Sequence, residues 1–218
     1  MKISAEKLQE IIESHGKWLR DEEGGERAYL QGAYLRNADL RNAYLRNADL
    51  RNADLRNADL RNAYLQGADL RNADLRNAYL RNADLRNADL RNADLRNAYL
   101  QGADLRNADL RNAYLRNADL RNADLRNADL RNAYLQGADL PDGIYQVVGC
   151  GSVNRCTTYD AINDRVICGC WNDYNGNHLL AFEQRIEDIY GEAGEEPNAE
   201  FYAEYMAAVT FFKTVRKE

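Results

Sequence analysis

The sequence predicts a mainly-β solenoid between two small non-repetitive segments, and three observations carry that reading. Between Ala28 and Leu140 an alanine recurs every five residues without an insertion or a deletion. This gives twenty-three tandem units of the form Ala-(Asp/Tyr)-Leu-(Arg/Gln)-(Asn/Gly), the last cut short after its leucine. A five-residue step fits neither regular element. On an α-helix it advances about 140°, so the leucines would wander round the whole cylinder. On a flat strand Ala and Leu share a face, but the next Ala falls on the other one. Both can stay inside only if the chain turns a corner in every unit. Asn and Gly, which best tolerate positive φ, occupy that position throughout. The third observation is the abrupt change of composition on either side of the tract.

Taken in order, residues 1–27 predict a short helical cap. Ser4 suits a helix N-cap, and Leu8, Ile11 and Ile12 follow at helical spacing. Gly16 is expected to weaken the helix before Trp18 and Leu19, which would cover the interior of the first coil. Met1–Ile12 has no apolar stretch behind a basic start and does not read as a signal peptide. No run approaches membrane-spanning length, so a cytoplasmic protein without a membrane partner is expected.

Within the tract a second period appears. Residues 64–98 and 99–133 are identical, and 29–63 differs from them only by Tyr34 in place of Asp. Gln-Gly recurs on that thirty-five-residue spacing at 31–32, 66–67, 101–102 and 136–137. Drift would have scattered changes over the outward positions, so identity this strict predicts an engineered consensus sequence.

The tract resembles the pentapeptide-repeat family, whose pattern is A-(D/N)-L-X-X, over residues 28–140. The resemblance implies a right-handed quadrilateral β-helix, four units per coil, with Leu and Ala inside. On that geometry Tyr44 and Tyr64 share one face, Tyr79 and Tyr99 the next, and Tyr114 and Tyr134, with Tyr34, a third. Tyr29 falls on the fourth. Spread over four sides, the tyrosines read as stacking neighbours that interrupt repelling columns of Asp, not as a binding strip.

The tract holds eighteen Arg against fifteen Asp, a net of +3. Columns of Asp beside columns of Arg make a mutually neutralising surface. A nucleic-acid footprint needs a basic face, so no nucleic-acid partner is expected.

Residues 141–218 begin at Pro141-Asp142-Gly143 and predict a small α+β cap. Ile144–Cys150, Arg155–Asp160 and Arg165–Trp171 read as strands, with Asn163 and Asp164 turning the last two into a hairpin. Asn177–Tyr190 reads as a helix ended by Gly191, with Leu179, Phe182, Ile186 and Ile189 on one side. A final helix from about Asn198 carries Phe201, Tyr205, Ala208, Phe212 and Val215, an aromatic face that suits a homodimer. The segment carries a net charge of −7 out of −6 for the whole chain. It also resembles the strand-plus-helix segments that follow some bacterial pentapeptide-repeat tracts. The runs behind that resemblance are Gly-Ser…Thr-Thr-Tyr, Ile-Cys-Gly-Cys-Trp and Tyr-Met-Ala-Ala-Val…Phe-Phe-Lys.

Chemistry is sparse. Cys150, Cys156, Cys168 and Cys170 are spaced by five intervening residues and one, unlike the Cys-x-x-Cys knuckles of zinc ribbons. Free buried thiols are the default, with zinc or a disulfide as alternatives. The two histidines, His15 and His178, read as structural; a Cys170–His178 nucleophilic pair would lack an orienting group. No phosphate-cradling loop occurs. The sequence therefore predicts no enzyme, no catalytic or metal-binding residues and no cofactor. It favours a designed structural scaffold. The alternative, implied by the resemblance, is a DNA-shaped mimic that binds a type II topoisomerase such as gyrase, and that needs a strongly acidic rod.

Overall fold

The computed structural model describes residues 2–141, 144–150, 155–160, 165–168, 183–184, 186–187 and 199–215. The chain divides into two compact units, Met1–Pro141 and Asp142–Glu218.

In the first unit the tract coils with four units per turn. Parallel β-bridges join residues twenty apart all the way up, from Tyr29–Asp49 to Asp119–Asp139. Each face contributes a single bridging residue, the one after Ala, so the sides are isolated bridges and not extended strands. Three backbone bonds per unit tie neighbouring coils. Leu50 N–H donates to the Asp69 carbonyl at 2.8 Å, Asn52 N–H to Arg71 at 2.9 Å, and Asp69 N–H to Ala48 at 3.0 Å. Every later coil repeats this set until the top of the tract, so the main chain satisfies itself without long strands.

The corners follow from the same arithmetic. Ala53 N–H donates to the Leu50 carbonyl at 3.1 Å, closing a four-residue turn about Arg51 and Asn52. All eighteen corner asparagines have φ between 56° and 59°, and the glycines between 63° and 70°. A turn with positive φ at its third residue demands Asn or Gly there. Asn87→Ala is accordingly expected to lose about 1–2 kcal/mol by forcing a Cβ residue without a local hydrogen bond into the left-handed region. Asn87→Gly should stay within about 1 kcal/mol of the parent. Urea unfolding of the two variants checks the difference.

Inside, the leucines from Leu30 to Leu135 are at most 5% exposed, and most alanines are at most 1%. The small Ala methyl lets each wall approach, and Leu fills the axis. This is the interior that the parity argument requires.

Helix α1, Ala5–Leu19, lies beneath the first coil. Ser4 caps it, accepting from Lys7 N–H at 3.2 Å. The helix runs through Gly16, contrary to the expected weakening; Gly16 is buried, and a single glycine lowers helix propensity without forbidding the helix. Gly25 then permits the chain to fold back across the end of α1. A Cβ there would run into the backbone of Lys17 and Trp18. Trp18 is half-buried and not the main cover; Leu8, His15 and Gly16 are the buried residues of α1.

Among its described residues the second unit has three antiparallel strands in the order β1, β2, β3: Ile144–Cys150, Arg155–Asp160 and Arg165–Cys168. Tyr145 faces Tyr159 and Thr158 faces Ile167 in register. The register shifts between Val148 and Cys150. Helix α2, Ala199–Val215, packs on β1. Of the face expected to form a homodimer, Tyr205, Ala208 and Phe212 are at most 2% exposed and so already buried within the chain, as is Val209, while the side chains of Phe201 and Val215 lie outside those described. Of the helix expected over 177–190, residues 183, 184, 186 and 187 are helical, and the remainder lies outside the described residues. So do Asn163, Asp164 and Trp171.

Candidate interaction surface

The outward positions of the tract form a lattice of carboxylates and guanidiniums. Within a unit, Asp and the Arg two residues later point the same way across the corner. Arg71 Nε donates to Asp69 Oδ1 at 2.8 Å and Nη2 to Oδ2 at 2.6 Å, while the Arg71 N–H donates to Oδ1 at 3.3 Å. Such bidentate, charge-assisted pairs are the strong kind. The same Nε then lies 3.5 Å from Asp89 Oδ2 on the next coil. Nine aspartates are bracketed in this way by their own arginine and one from the coil below, at 3.4–3.8 Å.

The carboxyls respond. Arginine hydrogen bonds hold Asp39 and Asp119 down at about 2 and lower Asp49, Asp54, Asp59, Asp69 and Asp124. For Asp84, Asp94, Asp109 and Asp129 burial pushes upward, but their arginines outweigh it and the net shift is down. Asp49 is the deepest, 5% exposed.

Tyrosine interrupts this lattice. Tyr44–Tyr64, Tyr79–Tyr99 and Tyr114–Tyr134 stack with ring centroids 4.9, 5.1 and 4.8 Å apart and planes within 6°. Arg46, Arg81 and Arg116 follow these tyrosines and therefore have no carboxylate two residues back. Glutamine takes up the slack for Arg81 and Arg116, whereas Gln66 Oε1, beside Arg46, is buried without a hydrogen-bond partner. Arg81 Nε donates to Gln101 Oε1 at 3.4 Å, and the Gln101 amide donates onward to Asp119. Arg116 meets Gln136 at 3.0 Å, and the Gln66 amide donates to Asp84. Beside them, Gly67, Gly102 and Gly137 leave room for the side-chain oxygens of Asn47, Asn82 and Asn117, which a Cβ would strike. The corner around Arg46, Gln66, Gly67 and Arg86 is a shallow groove of about 400 Å³.

At the lower end His15 is the polar anchor. It is fully buried, accepts the Ala28 N–H at Nδ1 and donates from Nε2 to the Arg46 carbonyl, both at 3.0 Å. That pair of partners requires the neutral ring protonated on Nε2. Trp18 stacks on it at 5.2 Å. Burial lowers its pKa below the ordinary 6.5, the Arg46 carbonyl opposes, and the Arg27 charge adds to the fall. A depressed histidine stabilises the fold fully above 6.5 and loses that contribution as the pH falls below it. The protection of the Ala28 amide, measured relative to its intrinsic base-catalysed exchange rate, is thus expected to fall below pH 6.5, and that fall to vanish in His15→Ala. A groove of about 770 Å³ lies between α1 and the first coil, lined by Ile3, Leu8, Ile12, Tyr34 and Asp39 among others.

The reading of His15 as structural thus acquires specific partners. Cys150, Cys156 and Cys168 lie on β1, β2 and β3, while Cys170 and His178 lie outside the described residues. Among the described residues no three His, Cys, Asp or Glu converge as metal ligands, and no helix is long and apolar enough to cross a membrane. The glutamine relay and the His15 anchor were not anticipated. The thirty-five-residue Gln-Gly spacing was the only signal for the first.

The profile of the pentapeptide repeats matches residues 26–62, 58–97, 73–112 and 108–142, in eight copies. Among curated protein sequences there is no match. A pentapeptide repeat protein from the Arabidopsis thaliana thylakoid lumen is 27% identical over 52% of this chain and 72% of its own, with a TM-score of 0.39. HetL, a pentapeptide repeat protein of the cyanobacterium Nostoc involved in heterocyst differentiation regulation, is 38% identical over 54% and 62%, with a TM-score of 0.23. QnrB1, a plasmid-mediated fluoroquinolone resistance protein, is 19% identical over 54% and 88%, with a TM-score of 0.24.

Proposed function

This chain belongs to the pentapeptide repeat family, and from that membership we propose that it is a structural repeat scaffold, a consensus solenoid with no catalytic activity. Membership implies the right-handed quadrilateral coil, with which the twenty-residue pitch agrees. The observation that carries the functional reading is the lattice itself. Its carboxylates are engaged by the tract's own arginines, side by side and coil to coil, so neither sign of charge is left as a continuous field. Identity of the thirty-five-residue blocks at outward as well as inward positions supports an engineered origin. Residues 1–27 and 141–218 differ from the repeat in composition and charge, and we assign them the role of end caps that prevent coil-on-coil growth. A cytosolic host fits the same reading.

The competing reading is a DNA mimic that binds gyrase. It needs an acidic rod, and the tract sums to +3. A gyrase supercoiling assay with this protein at micromolar concentration is expected to show no inhibition. Potent inhibition would overturn the scaffold reading.

A further inference from the structure

We propose that the three stacked tyrosine pairs are oxidative cross-linking sites, where a one-electron oxidant of the peroxidase class joins neighbouring coils through a dityrosine bond. The geometry is unusual for surface phenols. Tyr44 and Tyr64, Tyr79 and Tyr99, and Tyr114 and Tyr134 are parallel bridge partners, so the backbone fixes each pair in register. Their rings are already face to face at 4.8–5.1 Å. All six are 41–58% exposed, which gives an oxidant access and leaves the side chains room to splay.

The chemistry balances within the pair. Each phenol gives up one electron and one proton to become a phenoxyl radical, whose unpaired spin lies partly on the ring carbons ortho to oxygen. Two such radicals couple by forming one carbon–carbon bond between ortho carbons. Each bonded carbon then passes its hydrogen to its own oxygen as the ring regains aromaticity. Two electrons and two protons leave in total, and one hydrogen peroxide accepts them to become two waters.

Holding both partners on one rigid wall makes coupling intramolecular, with the advantage that proximity confers. Beyond the upper ring of two pairs the same column continues with Asp84 and Asp119, not with a third ring. Each of those radicals therefore has one partner. Tyr29 and Tyr34 bridge to Asp49 and Asp54 and serve as built-in controls. The three bonds would lie on three successive faces and tie the coils of the tract two by two.

The test uses the full chain, dilute, with peroxidase and limiting hydrogen peroxide, followed by dityrosine fluorescence, intact mass and a tryptic map. The monomer is expected to lose two hydrogens per cross-link. Trypsin releases the same peptide, Asn-Ala-Tyr-Leu-Arg, from 42–46, 77–81 and 112–116. It should be found joined to the shared peptide of 62–71 and 97–106 or to 132–155, while 28–36, which carries Tyr29 and Tyr34, stays unlinked. Tyr79→Phe keeps the ring and the stack and should lower the loss at full reaction by two hydrogens, with its distinct phenylalanine peptide unlinked. The proposal is overturned if oxidised monomer carries these peptides unlinked, if linkage occurs only between molecules, if Tyr79→Phe leaves the hydrogen loss unchanged, or if 28–36 links as readily as the Asn-Ala-Tyr-Leu-Arg peptide.

Discussion

Leu90→Asp is expected to cost more than about 4 kcal/mol and to leave the tract without a folded signature by circular dichroism. Leu90 is 0% exposed, in the middle of the axis, with leucine and alanine around it. A carboxylate there has neither water nor a cation within reach, and burying an unpaired charge is among the few single changes that exceed the usual range. Leu90→Ala, which leaves a cavity without a charge, should cost about 2–5 kcal/mol. The neighbour on the surface gives the contrast. Asp89→Asn keeps the shape and loses an outward ion pair, so it should stay within about 1 kcal/mol. Coils contact only their neighbours, and one that cannot close also removes the template for the next. A Leu90→Asp protein with the parent's spectrum would show that the axis at this level is open to water.

Acid should have the second large effect. Eleven of the tract's aspartates are held below the ordinary carboxylate value, and Asp119 sits at about 2 because of its Arg121, Gln101 and backbone hydrogen bonds. A carboxylate whose folded pKa is lowered supplies stability that is complete above its unfolded value and disappears as the pH falls through the folded one. The rod is therefore expected to hold from neutral pH to about 4 and then to weaken steeply toward 2, as many carboxylates protonate together. Urea midpoints measured at intervals between pH 6 and pH 2 check the window. A flat profile across it would mean that the arginine pairs contribute nothing to folding.

How much of this was legible in the residues themselves varies by position. The parity break between Leu30 and Ala33 required a corner, and Asn37 and its equivalents required positive φ; both follow from local geometry and both are found. Bonds that depend on the number of units per coil were not readable from spacing alone. Arg71 meets Asp89 only because twenty residues close one turn, a value that the family resemblance implied and the bridges display. Gly16 misled because the propensity of one residue does not decide whether a fifteen-residue helix continues through it. His15 could not be assigned partners, since Ala28 and Arg46 reach it only after the chain has folded back at Gly25. In the second unit the β-branched runs marked β1 and β2 at their observed bounds. The aromatic positions on α2 marked a buried face, but not which surface would bury it.

The Arg–Asp lattice and the tyrosine pairs both depend on one turn being twenty residues. Cysteine pairs test that number directly, since a disulfide needs Cα atoms within about 7 Å, and parallel neighbours lie about 4.8 Å apart. Asp89→Cys combined with Asp109→Cys places thiols on bridge partners, whereas Asp89→Cys combined with Asp104→Cys places them one unit out of step. Under mild oxidation, peptide mapping is expected to find the 89–109 disulfide and no 89–104 disulfide. A cross-link between 89 and 104, with 89 and 109 left reduced, would contradict the four-unit coil and the lattice built on it.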